Sequence, residues 1–472
     1  MKPLMALLVA TILLTIALTA VSASSEPLTL DDCIELALKN RASIIAARGS
    51  EAMASADKRA ALGAFLPQVS ASYSYSDSKS RDVKSEVEVP TVAGFYMDTI
   101  SFVDLRSGEA VNYPLPRDSI SGYRIVEQDL GDQDRTGKSL SFDASMSLFR
   151  LSNFFSYASA RAQREQARLD VMASEQDLIY SVKAVYYAYL ASMENLEVQH
   201  DAVKRSEEQL KLIQSKFDLG SASRSDLLKQ KVQYGNDQLN LLTAENSVVT
   251  SRALLAYTVG IDPASDVEFS TEYLERRYDT SLEEAIAFGM AHQPGLLAAE
   301  KYFDASRQSV RARQSEYLPS VIGYANLGYS SGTRGDTVTF DFSERSTTVG
   351  FRVTWNIFDG FSRERNLSYA KVARNNARAQ LSDMRNLVSR DIKTAFLEIR
   401  QLEKKQQVTS ENVEAAQEDL RITQERYTLG AATILDLLDA QVSLRQALVA
   451  SIQADFDLNL AVAKLENAMG KM

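Results

Sequence analysis

The chain has 472 residues, 45% hydrophobic and 24% charged, which is the composition of an ordered protein able to bury a core. Its 52 basic residues are outnumbered by 62 acidic ones, a formal charge of −10 that argues against nucleic acid or anionic lipid as the main partner. One cysteine, Cys33, and two histidines, His200 and His292, exclude an internal disulfide and a His-rich metal site, and no cofactor is expected.

From the N-terminus, Lys2 precedes an uncharged apolar run from Leu4 to Ala20, closed by the small residues Val21-Ser22-Ala23. This is a signal-peptide pattern, so residues 1–23 are expected to be removed on export. Cys33 lies too far along, after Leu30-Asp31-Asp32, for lipidation. A first structural repeat, 24–262, opens with an amphipathic helix from Leu30 to Gly63 that stops before Leu66-Pro67, because the residue before proline is driven out of the helical region. Val69, Ala71, Tyr73 and Tyr75 then alternate with serines, as do Leu140, Phe142, Ala144, Met146 and Leu148 with Ser or Asp, which predicts a pair of strands. Residues 80–137, with Pro90, Pro114, Pro116 and several glycines between those strands, read as a long loop.

Ser152 to Leu219 contains neither Gly nor Pro and predicts a helix of roughly 100 Å at ~1.5 Å per residue. Gly220 ends it, and Ser221 to Val259 runs back as its antiparallel partner. After a linker, 263–281, the grammar restarts in a second repeat, 282–472, with a helical hairpin whose tip lies near 430. Leu30-Asp31-Asp32 aligns with Leu282-Glu283-Glu284, and Phe65-Leu66-Pro67 with Tyr317-Leu318-Pro319, at an offset of 252. Beyond the strands, Phe217-Asp218-Leu219-Gly220 aligns with Tyr427-Thr428-Leu429-Gly430 at an offset of 210, so the first repeat carries a net 42 extra residues, which the 80–137 segment accounts for. Val349, Phe351, Val353, Trp355 and Ile357 alternate clearly in the second repeat, whereas Val321 to Tyr329 is mixed and leaves its phase open.

Four strands with one apolar and one Ser, Asp or Asn face have no second sheet to cover them. In an exported protein the pattern points to a transmembrane barrel, lipid outside and water inside. Phe65, Phe149, Tyr317, Trp355 and Phe358 cluster where strands meet helices, as an aromatic belt would. Four strands cannot close a barrel, so copies must combine, and three copies giving twelve strands leave a lumen where two do not. The residues thus read as a mixed α/β membrane protein with long antiparallel coiled coils, in which three copies fit a conduit better than two.

With its duplication, the Leu-Pro before each first strand, Ile357-Phe358-Asp359-Gly360 after the last, and Tyr427-Thr428-Leu429-Gly430 with Asp436-Leu437-Leu438-Asp439-Ala440 at the turn, the sequence resembles the TolC-like family of outer-membrane efflux proteins. The resemblance implies a homotrimer with a twelve-strand β-barrel, four strands per chain, in the outer membrane of a Gram-negative-type bacterium, continued by a long antiparallel coiled-coil α-helical tunnel across the periplasm. It further implies a periplasmic adaptor and an inner-membrane pump as partners in a tripartite efflux or type I secretion system, expelling small toxic solutes or polypeptides. By the same resemblance, Asp226 and Tyr427 tie helical hairpins together in a closed gate, and Gly220 and Gly430 lie in grooves where adaptors dock. Ala432 departs from members that carry arginine there.

Asp436 and Asp439, three residues apart, face one side of a helix and in a trimer would form two carboxylate rings favouring cations. The local alternative is a helix cap, since Thr433-x-x-Asp436 and Ser223-x-x-Asp226 are both capping boxes. Arg224 and Lys229 stand where the second repeat has Ile434 and Asp439, a divergence that suggests a basic tip latching an acidic one. No nucleophile elbow, phosphate loop or metal spacing is present, so an enzyme is not expected. A partner-independent porin and a periplasmic coiled-coil scaffold are the rival readings.

Overall fold

The computed structural model describes residues 27–471 apart from 82–83, 105, 130–132, 266, 272–279, 335–341 and 343; the expected signal peptide lies outside these. The chain divides into a helical unit and a sheet unit, the latter made of residues 62–151 and 317–357.

The helical unit shows the duplication element by element. Helices α1 (Leu30–Asn40) and α2 (Ala42–Gly63) correspond to α5 (Leu282–His292) and α6 (Pro294–Ser315), with 11 and 22 residues in each pair. Helices α3 (Leu151–Asp218) and α4 (Arg224–Val259) correspond to α7 (Ser362–Thr428) and α8 (Ile434–Met469). The single helix expected from Leu30 to Gly63 is two, because Arg41 is extended at φ −70°, ψ 128°. Its equivalent at the same 252 offset is Gln293, also extended, which Pro294 enforces from the following position. Where no proline helps, Arg41 is held by its own contacts: its backbone N–H closes the preceding turn on Ala37, and its guanidinium donates to the Tyr257 carbonyl at 3.0 Å and lies over the Tyr257 ring.

Three buried clusters hold this unit. One gathers Cys33, Tyr186, Leu190, Leu255 and Val259 around α1, α3 and α4. A second surrounds α7 and α8, where Leu381, Val388, Ile392, Ala395, Ile399 and Leu402 form the buried seam that the three-and-four spacing demands. The third lies at the tips. The 263–281 segment is tied in where it is described: Leu28 bridges Phe269, which is buried, and Tyr186 donates to the Ser270 carbonyl at 2.7 Å.

In the sheet unit, β1 (Gln68–Ser80), β4 (Gln133–Phe149), β5 (Ser320–Arg334) and β6 (Glu344–Thr354) form an antiparallel sheet in the order β1-β4-β5-β6. Register makes the two faces continuous across all four strands. Tyr73 pairs with Leu140, Leu140 with Tyr329, Phe142 with Leu327, and Ala325 with Val349, on one face. The opposite face carries Ser72 bonded to Ser141 and Ser74 to Ser139, both at 2.8 Å, and Asn326 donating to Asp143 at 2.6 Å. This settles the phase of β5: Gly323, Ala325, Leu327 and Tyr329 share the apolar face, and Ile322, Tyr324 and Asn326 the polar one. The mixture arises because glycines sit under neighbouring side chains, Gly323 beneath Leu148 and Gly350 beneath Tyr324. Phe65, Phe149, Tyr317 and Trp355 all fall at one end of this sheet, where Trp355 donates its indole N–H to the Tyr317 carbonyl at 3.1 Å. Phe358 belongs to the helical unit and meets Phe361 edge-on at 5.4 Å.

The expectation of a loop over 80–137 is overturned. Strands β2 (Lys84–Val103) and β3 (Ala110–Asp129) form a long antiparallel hairpin in its own two-stranded sheet. Prolines mislead here because both strands are edges. Pro114 and Pro116, two residues apart, turn their missing N–H groups to the same side of β3, and a strand in a two-stranded ribbon has one side on which no ladder needs them.

Candidate functional site at the helical tips

Each tip is built by the same local rules. The α3 turn closes with Gly220 N–H on Phe217 O and Ser221 N–H on Lys216 O; the α7 turn closes with Gly430 on Tyr427 and Ala431 on Arg426. This geometry needs a left-handed residue at the turn, and Gly220 and Gly430 supply it at φ 77° and 74°. Ser223 and Thr433 then cap α4 and α8. Asp226 returns a carboxylate oxygen to the Ser223 N–H at 3.2 Å, and Asp436 does so to the Thr433 N–H at 2.8 Å. The capping reading of both aspartates is therefore realised.

Capping does not occupy Asp436 fully, since the bonds to Thr433 all use one carboxylate oxygen. Those bonds, the backbone one foremost, with a lesser contribution from Arg426, hold its carboxyl below the usual range, so it stays ionised. Asp439 is exposed on the same side of α8, while Leu437 and Leu438 between them are buried.

Within the chain the two tips are joined by an apolar cluster in which Ile213 and Leu227 of the first hairpin pack with Leu420, Ile434, Leu437 and Leu444 of the second. Tyr427 packs against this cluster, its phenol pushed up by burial and then by the Asp226 charge. The cation facing Tyr427 is Lys216, 4.7 Å above the ring. Arg224 and Lys229 are exposed, and no ion pair among the described residues involves either.

Sequence reasoning passed over the polar layer behind this cluster. Gln230, fully buried, donates to the Ser206 carbonyl at 3.1 Å. Farther along α4, Asp237, its side chain only 4% exposed, forms an ion pair with Arg445 of α8 and accepts from Gln233 at 2.9 Å. The signal was present: at the 210 offset Asp237 matches Ala447 and Arg445 matches Gly235, so each charge exists in one repeat only. Among the described residues no group of His, Cys, Asp and Glu could hold a metal ion, and no helix is long and apolar enough to cross a membrane.

A family model described as Outer membrane efflux protein matches residues 33–260 and 290–471. The sequence is 26% identical over 313 residues to the outer membrane efflux protein BepC of Brucella suis biovar 1, covering 66% of each chain. It is 24% identical over 359 residues to the outer membrane protein TolC of Vibrio cholerae serotype O1, covering 75% of this chain and 81% of that one. Among solved structures, the outer membrane protein VceC from Vibrio cholerae shares the fold at a TM-score of 0.71 and 21% identity, covering 93% of this chain and 96% of its own.

Proposed function

The chain belongs to the outer membrane efflux protein family, and on that premise we propose that three copies form the exit duct of a tripartite efflux or type I secretion system. The observation that carries the proposal is the four-stranded sheet. Among the described residues its edge strands β1 and β6 have no partner on their outer sides, one face is mainly polar, with Ser, Asp and Asn beside Ile322 and Tyr324, and the other exposes Val69, Tyr73, Val349, Phe351 and Val353. An open sheet cannot lie in lipid, because unpaired backbone groups have no water to bond. Joining β6 of one copy to β1 of the next, three times, gives twelve strands with the apolar face to lipid and the serine face to a wet lumen.

In this reading the helices continue the duct into the periplasm, and an adaptor grips the tips near Gly220 and Gly430 for an inner-membrane pump. Asp436 and Asp439 line the constriction, where ionised carboxylates from three chains favour cations. The packing of Tyr427 on the tip cluster and the Lys216 contact over its ring support a closed tip within each chain, with Asp226 and Tyr427 as the linkage residues. Arg224 and Lys229 face neighbouring hairpins. The test is extraction from fractionated membranes. An outer-membrane species with the mass of three chains, dissociating on heating in detergent, is expected; a monomer, or fractionation with the inner membrane, refutes the proposal.

A further inference from the structure

Hairpin β2–β3 exposes more apolar surface than an isolated ribbon can carry. A two-stranded hairpin alone is marginal in water, yet Phe95, Met97, Phe102, Val103 and Tyr113 in its outer half are each at least 58% exposed. They occupy both faces: Ile100 pairs with Tyr113 and Phe102 with Val111 on one, Met97 with Pro116 and Val103 with Ala110 on the other. Each aromatic side chain offers about 150–250 Å², so these residues together reach the few hundred Å² at which a surface patch marks an interface.

We propose that this hairpin is an interface between copies of the chain, the outer halves of three hairpins packing on one another around the assembly axis; the inference rests on the trimer proposed above. Three observations select this occupant. Hairpin β2–β3 follows directly from β1, ending at Ser80, an open edge of the sheet. Closing the sheet with neighbouring copies therefore brings one hairpin per chain to the same rim, each with two edges unpaired among the described residues, so that β2 of one can meet β3 of the next.

Lipid is disfavoured as the cover. A lipid-facing strand keeps one face free of charge through its apolar band. Here the Arg117–Asp98 ion pair, at 3.2 Å, lies amid Tyr96, Ile100 and Leu115, and Asp118 pairs with Phe95. Charge also places the contact. At the base, Glu86 stands directly opposite Glu127, with Glu88 beside them and Lys84 bonded to Glu127; with Asp129, and with Arg124 opposite Val89, four acids face two cations, so the bases carry a net negative charge and stay apart. The contact falls in the outer halves.

The test places a thiol at Val103→Cys in the full-length protein, whose native Cys33 is buried. In the extracted trimer a short bis-maleimide should join chains in pairs, while Glu88→Cys at the base should be labelled without joining. A variant with Phe95→Ser, Phe102→Ser and Tyr113→Ser should still assemble through the sheet, with the temperature of trimer dissociation in detergent lowered by 10 °C or more. A trimer whose Val103→Cys thiol is labelled by a monofunctional maleimide but never cross-linked, with an unshifted dissociation temperature in the triple-serine variant, overturns the proposal and leaves the trimer standing. Quenching of a fluorophore at position 103 by nitroxide-labelled lipid also overturns it, in favour of a lipid surface. A parent protein that is monomeric by mass removes the trimer and this interface together.

Discussion

Replacing Arg445 with methionine removes the cation from a pair whose carboxylate partner, Asp237, is 4% exposed and whose guanidinium side is 18% exposed. Breaking a buried pair from one side costs about 3–5 kcal/mol, because the remaining charge is left without compensation. Gln233 still donates to Asp237 at 2.9 Å, which puts this site at the low end. About 3 kcal/mol is roughly a 100-fold change in an opening equilibrium. Arg445 lies 11 residues into α8, about 16 Å from its start at ~1.5 Å per residue, so the loss is felt just behind the tip cluster. Hydrogen exchange in the detergent-solubilised protein should show protection in α4 and α8 around these residues falling by that factor while the seam at Ile392 is unchanged. The double variant Asp237→Leu, Arg445→Leu should recover most of the protection, since an apolar pair of similar volume avoids desolvating either charge. Unchanged exchange in Arg445→Met, or a double variant as labile as the single, would refute the claim that this pair joins the hairpins.

Asp436→Asn combined with Asp439→Asn is expected to reduce cation selectivity in planar bilayers; retained selectivity removes these residues from the constriction. Arg224→Glu with Lys229→Glu should raise resting conductance by repelling the acidic second tip, and conductance equal to the parent's would eliminate both as latch residues. Cys33, whose thiol is pushed up to about 12 by burial and then by Asp32, should resist thiol reagents at pH 8 until the protein is denatured, and rapid native labelling contradicts its place in the core. Burial, followed by Asp455 and Glu197, raises the Glu194 carboxyl above its ordinary range, so the folded state holds this proton more tightly than the unfolded chain. Its contribution therefore favours folding at acid pH and is lost as pH rises from the ordinary value through the raised one. Glu194→Gln should make the protein more heat-resistant at pH 7 and flatten that dependence; a lower dissociation temperature at pH 7 counts against the assignment.

The duplication made most of the helical unit readable, because a helix of 68 or 67 residues without Gly or Pro leaves few alternatives and the capping boxes mark where each return helix begins. What stayed hidden depended on contacts between distant segments. Arg41 breaks the first helix with no proline beside it, so only its counterpart, Gln293 before Pro294, could have signalled the break. The phase of β5 was obscured by glycines that serve as seats for Leu148 and Tyr324. In β2–β3 the prolines and glycines read as loop signals, although a two-stranded ribbon, each strand of which has a free edge, tolerates them. At the tips the aspartate caps were legible from local spacing, whereas Lys216 over Tyr427 and Arg445 on Asp237 join residues about 210 positions apart in sequence, a separation that local pattern does not report.

Closure of the sheet by neighbouring copies is tested most directly by disulfides across its two edges. Within one chain, β1 and β6 are separated by β4 and β5, about 14 Å at ~4.8 Å per strand spacing, too far for an internal bridge. Ser72→Cys in β1, combined in turn with Ser346→Cys, Thr348→Cys and Arg352→Cys on the same face of β6, samples the stagger between copies. One combination should oxidise to a covalent trimer that survives heating in detergent and collapses to single chains on reduction. If every pair stays monomeric while its thiols remain open to labelling, β6 does not meet β1 of a neighbour, and the trimeric duct is wrong.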